Sequence, residues 1–153
     1  MSDASSPLKT RIAEDVKAAM RAGARERLGT LRGIMAALKQ IEVDTREPLD
    51  DAGTIAVLDK LAKQRRESIE QFGKAGRNDL VTREASELEI IQEFLPPPLD
   101  ESAIETLLRE AIAETGAVGM KDMGKVMAKL RPELQGRADM AAVSAQLKAR
   151  LAG

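Results

Sequence analysis

Arg25, Arg32 and Lys39 recur every seventh residue in a stretch whose apolar residues, Leu28, Leu31, Met35, Leu38 and Ile41, are three and four apart. On a helix this spacing lines the three cations along one edge of the apolar stripe, a basic ladder about 21 Å long at 1.5 Å per residue. Such a ladder can contact a run of phosphates, with an affinity that falls steeply as salt rises. Lys63, Arg66 and Arg77 add charge further along, and Lys121, Lys125 and Lys129 form an i, i+4, i+8 line near the C-terminus. The plainer alternative is solvated helix surface with local ion pairs, each worth under about 1 kcal/mol. With no Tyr or Trp and only two Phe, the chain has little to stack against bases. RNA would therefore be read through its shape and backbone.

Other constellations are weaker. Arg65 falls within the Leu58, Ile69 and Phe72 stripe, and Glu84 falls between Val81 and Leu88 on the apolar face of the next helix. Two opposite charges pointing inward from neighbouring helices suggest a half-buried structural ion pair, the alternative being that Arg65 lines an anion pocket. Glu84, Glu87, Glu89 and Glu93 raise the question of a metal, but Glu87 and Glu89 point nearly opposite ways and no histidine joins them. Gly124-Lys125 is followed by Val126, so it lacks the hydroxyl that a phosphate-binding loop of the Walker type places on magnesium. Ser68, Ser86 and Ser144 have no histidine to activate them. No catalytic residue, metal or cofactor is expected.

Helices must position these side chains. At 43% apolar and 1% aromatic, the 153 residues have the composition of an aliphatic helical bundle. Ser6-Pro7 opens a first helix, with Leu8, Ile12, Val16 and Met20 as its stripe and Gly23 as its stop. The second spans about 24–43, and a polar loop from Asp44 to Gly53 leads to a third ending near Phe72. A fourth occupies about 79–94. Pro96-Pro97-Pro98 cannot continue it and marks a connector at 96–99. Asp100 caps a fifth helix that Gly116 ends, Asp122 begins a sixth that ends near Pro132, and Asp139 caps the last. The expected fold is all-α, with about four helices in a larger N-terminal subdomain, 1–95, and three in a smaller C-terminal one, 100–153.

A net charge of −1 conceals strong patterning. Lys60 to Arg77 carries six basic residues against two acidic, Asp79 to Glu114 two against ten, and Lys121 to Arg150 seven against three. These blocks can hold neighbouring helices together or present basic surfaces. There is no cysteine, no apolar run long enough to span a bilayer, and no signal-peptide pattern in Met1 to Ser6. A cytoplasmic monomer without a membrane partner is the expectation from these features.

Two longer stretches carry a likeness. Residues Lys63-Gln64-Arg65-Arg66-Glu67-Ser68-Ile69-Glu70-Gln71-Phe72, then Ala75-Gly76-Arg77-Asn78-Asp79-Leu80 and Glu93-Phe94-Leu95-Pro96, resemble the GatB/YqeY family. So do Met120-Lys121-Asp122-Met123-Gly124-Lys125-Val126-Met127 and Gly136-Arg137-Ala138-Asp139. With Leu31-Arg32 and Ala37-Leu38-Lys39 the likeness covers nearly the whole chain. Met140 stands where the family often has glycine, and Phe94 where tyrosine is common. The family comprises small proteins similar to a helical tail found in the glutamine-dependent aminoacyl-tRNA amidotransferase, a carbon–nitrogen ligase with glutamine as amido donor. The resemblance implies an all-α fold in two subdomains and a role facing tRNA, with amidotransferase subunits as further partners. It does not imply the chemistry, because the ligase's catalytic domain has no counterpart here. A helical protein–protein adaptor is the alternative.

Overall fold

Capping chemistry sets most of the helix boundaries in the computed structural model, which describes residues 6–152; the start at Met1 to Ser5 and the final Gly153 lie outside them. Helix α1, Pro7–Ala22, begins at Ser6, whose Oγ accepts from the Lys9 N–H at 3.0 Å, and ends at Gly23 in the left-handed conformation (φ 67°). Helix α2, Arg25–Thr45, follows almost at once and is closed by Arg46, a non-glycine residue with φ 60°. Helix α3 spans Asp51–Lys74 and α4 Asn78–Gln92. Then come α5, Glu101–Thr115, a 3-10 turn at Met120–Asp122, α6, Met123–Leu134, and α7, Met140–Ala152. Among the described residues there is no strand, and the fold is all-α.

The chain divides into two compact units at Leu95 and Pro96. In the first, α1 to α4 enclose Ile12, Ala19, Leu31, Ile34, Leu38, Leu58, Ala62, Ile91 and Phe94. In the second, α5 to α7 enclose Leu108, Ala111, Val126, Met127, Leu130, Leu134, Val143 and Leu147. Both cores are built almost wholly from aliphatic side chains. Only Phe94 brings a ring.

Three boundaries and faces differ from the sequence reading. Met20 is 53% exposed and Ala19 is buried in its place. Each i+4 step rotates 40° beyond a full turn, so the run Leu8, Ile12, Val16, Met20 walks off the face that Ile12 and Ala19, seven apart, share. Helix α3 starts at Asp51 rather than after Gly53, because Asp50 Oδ1 accepts from the Gly53 N–H at 2.8 Å and caps it. Helix α6 runs through Pro132 to Leu134. A proline in the last turn forfeits one hydrogen bond, and the fully buried Leu134 holds that turn in place.

Polar contacts fasten α1 to its neighbours. Ser6 and Thr54 are buried, and Asp51 Oδ1 accepts from both the Ser6 hydroxyl and the Leu8 N–H. Glu42 Oε2 accepts from Lys9 Nζ at 2.5 Å and from the Leu49 N–H at 2.8 Å. These donors, Lys9 first, hold the Glu42 carboxyl below the usual glutamate range. A depressed folded value makes this clasp stabilising above the unfolded value, about 4.3, and removes its contribution as pH falls through the folded one. Urea unfolding at neutral pH and near pH 3 should therefore show a smaller acid loss in Glu42→Gln than in the parent. Equal losses would take Glu42 out of the account.

Candidate nucleic-acid interface

Arg32 and Lys39 each directly follow a core leucine, Leu31 and Leu38, so packing that face turns the cations about 100° away towards solvent. Arg25, at the start of α2, completes the line. All three are exposed and form no ion pair among the described residues. The same outer face carries Gly29, Gly33 and Ala36, so nothing bulky screens the ladder; a Cβ built on Gly29 or Gly33 meets open space. Lys39 also contributes to the low pKa of Glu42, though less than Lys9 does.

Lys63 and Arg66 are exposed on α3 and likewise form no ion pair among the described residues. Arg77 is different. Its Nε and Nη2 bind Asp79 Oδ1 and Oδ2 at 3.1 and 3.0 Å, and the guanidinium lowers the carboxyl's pKa. In the second unit Lys129 Nζ lies 2.5 Å from Glu114 Oε2 across α5 and α6, and that hydrogen bond raises the ammonium's pKa. Lys121 and Lys125 are exposed beside Asp122, whose Oδ2 accepts from the Val118 N–H at 2.9 Å. Of the six cations of the first unit expected to meet phosphate, five therefore form no ion pair among the described residues, and the C-terminal line is partly neutralised.

Arg65 bridges two acids. Its Nε is 3.0 Å from Glu87 Oε2 and 3.5 Å from Glu84 Oε2, with the three side chains 28%, 22% and 20% exposed. Glu84 and Glu87 are three apart on α4, a spacing that sets both carboxylates over one guanidinium. A second cluster has no trace in local sequence. Arg27 grips Glu93 with Nη1 at 2.8 Å and Nη2 at 2.9 Å and reaches Asp15 at 3.3 Å. The paired charges raise the arginine's pKa and lower that of Glu93. Arg11 donates to the Glu93 carbonyl at 2.9 Å and stacks its guanidinium 4.9 Å from the centre of the Phe94 ring. This cluster ties α1 and α2 to the end of α4 without offering a free charge.

Between α2 and α4 lies an open groove of about 760 Å³. Arg25, Glu26, Gly29 and Thr30 form one wall, and Asp79, Thr82, Arg83 and Ser86 the other. Arg83 escapes the sequence reading because it belongs to the acid-rich stretch of the chain. Only folding brings it to the same groove as Arg25.

A family model described as "Yqey-like protein" matches residues 9–151. Three relatives share the description "Altered inheritance of mitochondria protein 41, mitochondrial". The protein from Eremothecium gossypii is 40% identical over 55% of this chain and 46% of its own length. That from Lachancea thermotolerans is 37% identical over 67% and 57%, and that from Pyrenophora tritici-repentis 31% identical over 84% and 71%. The chain thus spans about half the length of the first two. The expected cytoplasmic placement is overturned by these relatives, whose names put them in mitochondria. Composition cannot separate the two compartments, since lack of cysteine suits any reducing interior. No described helix is long and apolar enough to cross a membrane.

Proposed function

The chain belongs to the YqeY-like family, and on that premise we propose that it is a helical tRNA-associated binding module, contacting phosphates through the outer face of α2 and the neighbouring cations of α3. The observation that carries this reading is the unmatched charge of Arg25, Arg32, Lys39, Lys63 and Arg66, all exposed on the first unit. Cations already bound to local acids would gain little from a phosphate; these five form no ion pair among the described residues, and only Lys39 feels a nearby acid, Glu42. Lys121 and Lys125 extend the reading to the second unit, while Arg77 and Lys129 contribute less because Asp79 and Glu114 hold them. On this reading an amidotransferase would be a partner that the module assists. The likeness to that enzyme's helical tail supports the association, and the relatives' names support a mitochondrial setting.

Fluorescence anisotropy with bulk tRNA across a salt series tests the module. Binding near 50 mM salt that weakens by orders of magnitude towards 200 mM is the expected result. No binding at low salt, or an affinity indifferent to salt, rejects it.

A protein–protein adaptor is the second reading, and one feature favours it. Val118 is 81% exposed, in a loop that Asp122 ties into a fixed shape, with Met120 exposed beside it. Capture of an amidotransferase subunit that persists after ribonuclease treatment would support the adaptor.

A further inference from the structure

We infer that the groove between α2 and α4 is a seat for a phosphate ester, held between Arg25 on one wall and Arg83 on the other. The inference rests on the nucleic-acid reading above for the source of the phosphate, and on the groove's own charges for the chemistry.

Sorting the groove's charges by their partners leaves very few. Arg27 is taken by Glu93 and Asp15, Glu87 by Arg65, and Asp79 by Arg77, and none of those outside partners lines the groove. Arg25, Arg83 and Glu26 remain, with no ion pair among the described residues. Two unpaired guanidiniums on one open groove leave it a positive charge that an anion would answer. A phosphate suits that role, because a guanidinium's planar fork of donors matches two phosphate oxygens. The Ser86 hydroxyl, on the wall of Arg83, has no hydrogen bond among the described residues and supplies a free donor.

Gly29 leaves room on the groove wall for a ligand. It stands in the interior of α2 on the groove wall, where a Cβ would meet nothing within 4 Å. Internal packing therefore does not require a glycine there, and its φ is not in the left-handed region. A helix interior disfavours glycine. Its effect is to leave that part of the groove wall without a side chain. At about 760 Å³ the space takes a nucleotide's phosphate with its sugar, whether the ester belongs to an RNA backbone or to a free nucleotide.

Four variants and two probes decide the matter. The full chain, labelled with nitrogen-15, is titrated with bulk tRNA and separately with a nucleoside monophosphate, and anisotropy gives the tRNA affinity. The expected result is movement of the Gly29, Thr82 and Ser86 amides with tRNA. Arg25→Ala and Arg83→Ala should each weaken binding by about tenfold, with the slope of log affinity against log salt falling by about 1. Gly29→Gln, which favours the helix but puts a side chain into the groove, should lose affinity while the chain melts no lower. Glu26→Gln removes the one unmatched acid and should tighten binding. If tRNA binds but the Thr82 and Ser86 amides stay still and Arg83→Ala matches the parent, the groove is refuted and the ladder reading survives. If the monophosphate moves the amides and tRNA does not bind, the phosphate seat stands with a free nucleotide as its source, and the RNA reading falls. If tRNA does not bind and the monophosphate leaves the amides still, both fall.

Discussion

Reversing the ladder on α2, with Arg25→Glu, Arg32→Glu and Lys39→Glu combined, should abolish detectable tRNA binding at physiological salt. Each cation that meets a phosphate releases close to one counterion, and a carboxylate in its place repels what it had attracted. The affinity should fall by at least about a hundredfold. Stability should hardly change, for reasons specific to each site. None of the three forms an ion pair that the reversal would break. Glu at position 25 falls in the first turn of α2, where the helix dipole favours an anion. Glu at position 39 lies near Glu42, which adds a mild repulsion of about 0.3–0.5 kcal/mol. The two effects offset each other, so the melting midpoint should stay within about 4 °C. A control variant, Arg77→Glu with Lys129→Glu, reverses charges that local acids already answer and should cost far less affinity. Ladder reversal that leaves tRNA binding intact would remove α2 from the interface.

The second large effect is structural. Arg65→Met keeps most of the side chain's length but strands Glu84 and Glu87 together on the face of α4 turned towards α3. Breaking a fully buried pair costs about 3–5 kcal/mol. Here each group keeps between a fifth and under a third of its surface in water, which lowers the expected loss to about 2 kcal/mol. Urea unfolding should show that loss in the single variant. It should show most of it recovered in Arg65→Met with Glu84→Gln and Glu87→Gln, because the stranded charges then vanish with their partner. The tRNA affinity of the folded single variant adds a separate answer. If it falls as far as in the ladder variants, Arg65 serves an anion and not merely the fold.

Local signals made most of the helical frame legible. Ser6-Pro7, Asp100 and Gly116 act at the positions that capping chemistry assigns them, since a cap depends on its nearest three or four residues. Gly53 misleads because it serves as the amide donor to Asp50 inside the first turn of α3, a role its usual reading as a breaker hides. Ala19 and Met20 show the limit of counting stripes: four-residue steps drift, and the neighbouring helix decides which residue of the pair is covered. The cations of the candidate site were legible as exposed wherever a core leucine precedes them. Their partners were not. Arg27 finds Glu93 across 66 positions, and Arg83 comes to line the same groove as Arg25 only through the packing of α4 on α2. Glu87 was within reach of sequence reasoning, because its spacing from Glu84 already put two acids on one face.

The two phenylalanines also determine how these experiments can be followed. Phe72 and Phe94 both lie in the first unit, and no aromatic residue occurs after Leu95. The chain is nearly transparent at 280 nm, so its concentration must be measured from peptide absorbance or amino-acid analysis. Any near-ultraviolet dichroism comes from the first core alone, chiefly from the Phe94 ring beneath the Arg11 guanidinium. A melt recorded there would pass over the second core in silence, and only far-ultraviolet or amide signals would register both.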